Sequence, residues 1–298
     1  MVDQEAEQKP SETALFATLR RALAYKKYKN AKFGPDYLAE YFLPSQYRFF
    51  LKFKSVRVNT TNKLDSFFPG LMEFVIARTV YIDRVFADAL SNEVSQIVLL
   101  GAGYDSRAYR FADLNQGTRI YELDAAPTQE MKKKYLRKAK IEVPNLVTFV
   151  PIDFNMESLK DVLESAGYDG NQQTLFIWEG VTYYLELASV DTMLKFVSDL
   201  PHPDTRIVFD YTIPITDENI KKFYGAEAFA ESMKAKHEEE KLLFSIEEGE
   251  IESFLTTRGL RLVEHLDNRE IEEAFLTRED GELIGRMTGH FRFVIASN

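Results

Sequence analysis

Seven short segments along the chain carry strand patterning, and helical spacing fills most of the distance between them. The run at 96–100, QIVLL, is apolar without polar alternation, as expected of a parallel strand buried on both faces. Further strands are expected at 119–123, 146–152, 173–178 and 205–211. The segments 259–265 and 290–296 are expected to close the sheet as an antiparallel pair. Helical patterns precede and separate these strands, at 13–29, 36–42, 71–90, 107–111, 126–141, 156–166, 187–200 and 246–257, and turn residues mark 33–36 and 67–70. Strands alternating with helices until a final pair predict an α/β fold. The stretch 212–243 is charged and helical in pattern, and as an insertion after the fifth strand it is a candidate lid. The expected organisation is a polar tail over 1–12 and one domain over 13–298. That domain comprises a helical cap (13–95), a ligand-binding core (96–211), the insertion (212–245) and a C-terminal helix with two strands (246–298).

The first strand ends in Gly101-Ala102-Gly103. Two glycines this close let the backbone turn sharply and approach a ligand. Asp105 and Ser106 are N-cap residues for a short helix. The second strand ends at Asp124, 23 residues beyond Gly101, where a carboxylate is placed to take both hydroxyls of a ribose. The stretch therefore reads as a nucleoside-binding βαβ unit. A dinucleotide fingerprint would have a third glycine where Ser106 stands, and no GxxxxGK[ST] loop occurs. S-adenosylmethionine is the remaining common ligand of such a turn.

LLGAGYDSRAYRF, followed in order by YELD, PIDF and WEGVTYYL, resembles the leucine carboxyl methyltransferase family from about residue 13 to the C-terminus. The resemblance implies a Rossmann-like class I methyltransferase: a seven-stranded, mostly parallel sheet with helices on both faces. It implies S-adenosylmethionine as cofactor and oxygen, typically of a carboxyl group on a protein or a small molecule, as acceptor. It also implies that Arg78, within Ala77-Arg78-Thr79, pairs with the cofactor carboxylate, which only arginine matches in a planar bidentate way. Arg84, on the same helix, is expected at the surface.

Position in an open sheet suggests further ligands, because such sheets bind beyond the carboxyl ends of their strands. Asp153 and Phe154, after the third strand, suit the adenine amino group and ring edge, although Asp153 or Asn155 could instead cap the next helix. Glu179, after the fourth strand, is placed to accept from the cofactor ammonium, and Gly180 permits close approach. Tyr183, Tyr184 and Tyr211 are candidates for the acceptor pocket. The basic residues of 13–29 (Arg20, Arg21, Lys26, Lys27, Lys29) suggest a solvated face or an entrance for an anionic substrate. The lysines of 132–134 suggest a solvated outer face. The aromatic and basic stretch 47–53 could line a pocket or pack.

Composition narrows the function. A net charge of −10 disfavours nonspecific nucleic-acid binding. Cysteine is absent, which removes disulfides, thiolate metal sites and cysteine nucleophiles and suits a reducing cytoplasm. No run of about 18 apolar residues predicts a membrane span, and no membrane partner is expected. The N-terminus has no signal-peptide core. His202, His237, His265 and His290 lack ligand spacing, so no metal is expected, and no GxSxG elbow is present. A carboxylate acceptor, already ionised at neutral pH, needs no general base. The expected activity is S-adenosylmethionine-dependent O-methylation of a small molecule or a terminal carboxyl. The alternatives are a nicotinamide-dependent oxidoreductase and a non-catalytic S-adenosylmethionine-binding protein.

Overall fold

A computed structural model describes residues 10–154, 156–234 and 242–298. Most of the expected tail, together with Asn155 and residues 235–241 of the expected insertion (His237 among them), lies outside the described residues. The sheet has seven strands in the order β3-β2-β1-β4-β5-β7-β6. They are β1 (Gln96–Leu100), β2 (Arg119–Asp124), β3 (Val147–Pro151), β4 (Thr174–Trp178), β5 (Arg206–Thr212), β6 (Arg261–Leu266) and β7 (Phe291–Ser297). Strands β1 to β5 are mutually parallel, and β7 runs antiparallel between β5 and β6. Winding reverses between β1 and β4, so a crevice opens beyond their carboxyl ends.

Alternation along the strands builds two cores. Ile97 and Leu99 of β1 face one, which includes α1 (Glu12–Tyr28), α4 (Leu71–Ser91) and α11 (Asn268–Leu276). Val98 and Leu100 face the other, with α8 (Leu187–Ser198) and α10 (Ile251–Thr256). At about 25 cal/mol per Å² of apolar surface, each fully buried branched residue contributes about 1.5–3 kcal/mol. Between α1 and α4 the chain forms two further helices, α2 (Ser45–Phe50) and α3 (Lys54–Phe67). The sheet helices are completed by α5 (Arg107–Arg110), α6 (Ala126–Ala139) and α7 (Leu159–Ser165). Among the described residues no helix is long and apolar enough to cross a membrane.

Several local expectations are corrected. The 36–42 segment is a 3₁₀ turn over Ala39–Phe42. Helix α7 starts at Leu159 because Ser158 caps it, its hydroxyl accepting from the Asp161 amide, so Asp153 does not cap it. The 212–243 stretch is not one long helix: β5 runs to Thr212, turns follow, and α9 occupies Ala226–Lys234. Helix α11 begins with a capping box in which the Asp267 carboxylate accepts from the Glu270 amide and Glu270 accepts from the Asp267 amide. On α6, Lys132 is buried rather than solvated, because its ammonium lies 2.7 Å from the buried Glu122 carboxylate. On α1, Arg20 and Arg21 are buried as well.

Candidate active site

The turn after β1 is held by the end of β2. Gly101 (φ +66°) and Gly103 (φ +45°) occupy the left-handed region, and a Cβ at Gly101 would stand 2.9 Å from the Val181 side chain. The Ala102 amide donates to the Leu123 carbonyl at 2.8 Å, and the Gly103 amide donates to Asp124 Oδ2 at 2.6 Å. Asp124 Oδ1 accepts from the Ala125 amide at 2.8 Å. Burial pushes the Asp124 carboxyl above its ordinary range, and the Gly103 and Ala125 amides work against that shift. The Thr128 hydroxyl also favours the ionised carboxylate, which with up to four acceptor sites still has capacity beyond these partners. That capacity fits two vicinal hydroxyls of a ribose. Glu122, the other acid on this face of β2, is buried on Lys132 and Tyr109 and does not reach the cavity.

Beside this turn stands a buried lattice of guanidinium and carboxylate groups. Arg78 Nε lies 3.0 Å from Glu179 Oε1, and its Nη1 donates to Asp210 Oδ2 at 2.8 Å and to the Tyr183 hydroxyl at 3.0 Å. Its Nη2 has no hydrogen-bond partner among the described residues. Glu179 Oε2 accepts from Arg107 Nη1 at 2.7 Å. Burial works against ionisation of Glu179, but Arg107 and then Arg78 outweigh it and hold the carboxyl below its ordinary range. Asp210 Oδ1 accepts from the Gly180 amide at 2.7 Å. Gly180 (φ +74°) passes so close to Arg78 that a Cβ there would lie 3.0 Å from Nη1. Burial raises the Tyr183 phenol well above its ordinary value, with Asp210 adding to the shift, so it stays neutral and acts as a donor rather than a base.

A cavity of about 850 Å³ joins these elements. The structure brings Arg78, Gly101, Ala102, Gly103, Asp124, Phe154, Glu179, Gly180, Tyr183 and Tyr184 to its walls. Asp153 sits beside Phe154 but is not a wall residue. Tyr211 is not one either. Along β5 Asp210 points to Arg78 and its neighbour points to the opposite core, where the Tyr211 hydroxyl meets His265 Nε2 at 3.0 Å. Arg84 is at the surface, paired with Glu264.

The structure adds Asp210, which the pattern along the chain did not single out, and sets Arg20, one of the basic residues of 13–29, on the cavity wall. Asp210 holds Arg78 and the Gly180 amide together. Its signal is a lone acid inside the otherwise apolar strand IVFDYTI. Arg20, from α1, lines the cavity and is 6% exposed. Among the described residues its only hydrogen bond is a long one, 3.5 Å, from Nη1 to the Phe16 carbonyl, and none of their carboxylates lies within ion-pairing distance. Burial lowers its pKa to about 10, with the Asp65 charge acting in the opposite sense. The rest of the wall is largely apolar and includes Leu64, Phe68, Phe74, Phe229, Met233 and Phe291.

A mostly parallel sheet with a glycine turn after its first strand, an acid ending its second and a crevice at the switch of winding defines the nucleoside-binding α/β class. The leucine carboxyl methyltransferase family model matches residues 14–198. YktD of Bacillus subtilis (strain 168), assigned by name to the S-adenosyl-L-methionine-dependent methyltransferases, is 30% identical over 220 residues, 72% of this chain and 70% of its own. A Frankia alni relative with the same assignment is 35% identical over 133 residues, 45% of this chain and 46% of its own. A solved structure described as a methyltransferase from Thermobifida fusca YX superposes with a TM-score of 0.61 at 17% identity, covering 98% of this chain and 96% of that one. The chain belongs to the leucine carboxyl methyltransferase family and is an S-adenosylmethionine-dependent methyltransferase. The nicotinamide and non-catalytic readings are thereby set aside.

Proposed function

We propose that the enzyme methylates oxygen, of a carboxylate on an acceptor with an apolar body, either a small molecule or a terminal carboxyl. The observation that carries this reading is Arg20: a buried guanidinium with no ion-paired carboxylate among the described residues, on a cavity with a largely apolar wall. An isolated buried charge is costly, and a planar carboxylate is its natural complement. Such an acceptor is ionised at neutral pH and needs no base. The neutral Tyr183 phenol agrees with that requirement.

S-adenosylmethionine supplies a methyl group on a sulfonium, which leaves readily as a thioether. The residues then have a task of position. Asp124 takes the ribose hydroxyls, and the glycine turn lets the backbone lie against the nucleoside. Phe154 flanks the base, with Asp153 beside it. Arg78 offers Nη2 to the amino-acid carboxylate, and Glu179 accepts from the ammonium while Arg107 and Arg78 fix its orientation. Arg20 orients the acceptor so that one oxygen lies in line with the methyl, and the apolar wall excludes water.

Products labelled in the transferred methyl test the acceptor class. A methyl ester releases labelled methanol in alkali, and a methyl ether does not. With a panel of apolar carboxylic acids and phenols, the expected product is alkali-labile, and Arg20→Met lowers kcat/KM for the acid while leaving the affinity for S-adenosylhomocysteine within about twofold. Alkali-stable product refutes the carboxylate reading. An equal loss of cofactor affinity moves Arg20 to the cofactor.

A further inference from the structure

Helices α2 and α3 contain no buried residue. Phe49, Phe50 and Phe53 are 54%, 52% and 48% exposed, yet they touch one another: the Phe49 ring centroid lies 5.8 Å from that of Phe50 and 5.5 Å from that of Phe53, both edge to face. Tyr47, Val58 and Phe67 are exposed on the same pair of helices. Scattered apolar side chains at a surface need no explanation, but a contiguous aromatic cluster does. The stretch 45–63 also carries Arg48, Lys52, Lys54, Arg57 and Lys63 and no acid, in a chain of net charge −10. Arg57 is engaged inside the hairpin, where its Nη1 donates to the Leu51 and Lys52 carbonyls at 2.8 and 3.0 Å and fixes α2 against α3. Lys52, Lys54 and Lys63 make no ion pair among the described residues.

We propose that the α2–α3 hairpin docks on an anionic lipid surface. The occupant must present an apolar layer and a negative layer within one side-chain length of each other, because phenylalanines and lysines alternate along a single short stretch. The boundary between headgroups and acyl chains has that layering: aromatic rings enter it while lysine stems carry their charge to the phosphates. Cations held close to an anionic leaflet are drawn to it, and the attraction falls off within a Debye length. A second copy seated on the same patch through two-fold symmetry would set these cations against their own equivalents. The patch adjoins the cavity. Leu64 of α3, Phe68 just after it and the half-exposed Phe16 all line the cavity wall. A docked hairpin therefore brings that rim to the bilayer, within reach of an apolar acid partitioned there. This last step rests on the function proposed above, whereas the docking does not.

Cosedimentation with vesicles tests the docking independently of turnover. The full chain is expected to bind vesicles of equal parts phosphatidylglycerol and phosphatidylcholine, and to bind pure phosphatidylcholine at least about tenfold more weakly. Raising NaCl to about 0.5 M is expected to weaken binding to the mixed vesicles. Phe49→Ser with Phe53→Ser, and separately Lys52→Glu with Lys54→Glu, are expected to reduce binding at least about tenfold, with thermal midpoints and S-adenosylhomocysteine affinity unchanged. No binding to the anionic vesicles, or binding unaltered by both pairs of substitutions, overturns the proposal. Concentration-dependent self-association abolished by the phenylalanine pair, without vesicle binding, also overturns it and assigns the patch to a second copy.

Discussion

Replacing Asp124 by alanine removes the one carboxylate that the structure sets at the end of β2 on the cavity wall. The expected loss follows from the bonds available. The two oxygens each accept one backbone amide in the free protein, the Thr128 hydroxyl adds a further partner, and the carboxylate keeps acceptor capacity for the ribose. Hydrogen bonds to a charged group contribute about 1.5–3 kcal/mol each and add incompletely, so the binding loss is about 2–4 kcal/mol, or about 30- to 1,000-fold in Kd. Part of the effect reaches the turn, because the Gly103 amide loses its acceptor, so the thermal midpoint is measured first. Asp124→Asn, which keeps one acceptor oxygen, is expected to fall between wild type and alanine. Calorimetric titration with S-adenosylhomocysteine reads the affinity. Glu122 cannot substitute, since both of its oxygens are engaged in the core. Unchanged affinity in a folded Asp124→Ala protein would refute the placement of the nucleoside over β2.

Arg78→Ala and Glu179→Gln are each expected to weaken S-adenosylhomocysteine at least about tenfold (about 1.4 kcal/mol) while leaving 5′-methylthioadenosine, which lacks the amino-acid end, nearly unchanged. Equal losses for both ligands would indicate damage to the fold instead. Lys132→Met leaves Glu122 buried without its cation and is expected to cost about 3–5 kcal/mol in denaturant unfolding. A change below about 1 kcal/mol would show that the pair is dispensable. His290 is buried among Phe229 and Phe291, and burial pushes its pKa down to about 3. The unfolded chain binds its proton near pH 6.5, so the stabilisation is complete above that pH and is lost as pH falls toward the folded value. Lowering pH from about 7.5 to 5 should cost wild type about 2 kcal/mol more than His290→Leu, and identical pH profiles would exclude the effect.

What the sequence makes legible is local. The strand–glycine–acid unit is readable because its parts act within 23 residues of one another, and the structure sets Asp124 on the Gly103 amide. Seven strands follow from their own patterning. Asp210 stands out along the chain as an acid within an apolar strand, but its pairing with Arg78, 132 positions away, shows in no window. Tyr211 looks like a pocket residue until the pleat turns it to the opposite core and its neighbour Asp210 toward Arg78. Lys132 sits in a lysine run that reads as solvated, and only the packing of α6 on β2 places Glu122 opposite it. Arg20 follows the helical period of a basic face, but α1 is covered on that side. Helix α11 is the exception in the other direction: Asp267-x-x-Glu270 is a local start signal that hydrophobic spacing alone does not use.

The link from the Gly180 amide through Asp210 to Arg78 bears on how this enzyme can diversify. Arg78→Met alone strands a carboxylate that is 1% exposed, whereas Arg78→Met together with Asp210→Leu removes both charges. Each single step away from the present arrangement is less stable than a joint one, so these positions exchange in pairs or not at all. Phe229 and Met233, on the same cavity, carry no such constraint, since an apolar side chain there trades volume with its neighbours in small increments. A new acceptor shape is reachable by successive single substitutions; a new charge arrangement beneath it is not. Descendants of this chain should diverge in what they methylate long before the polar side of the cavity changes.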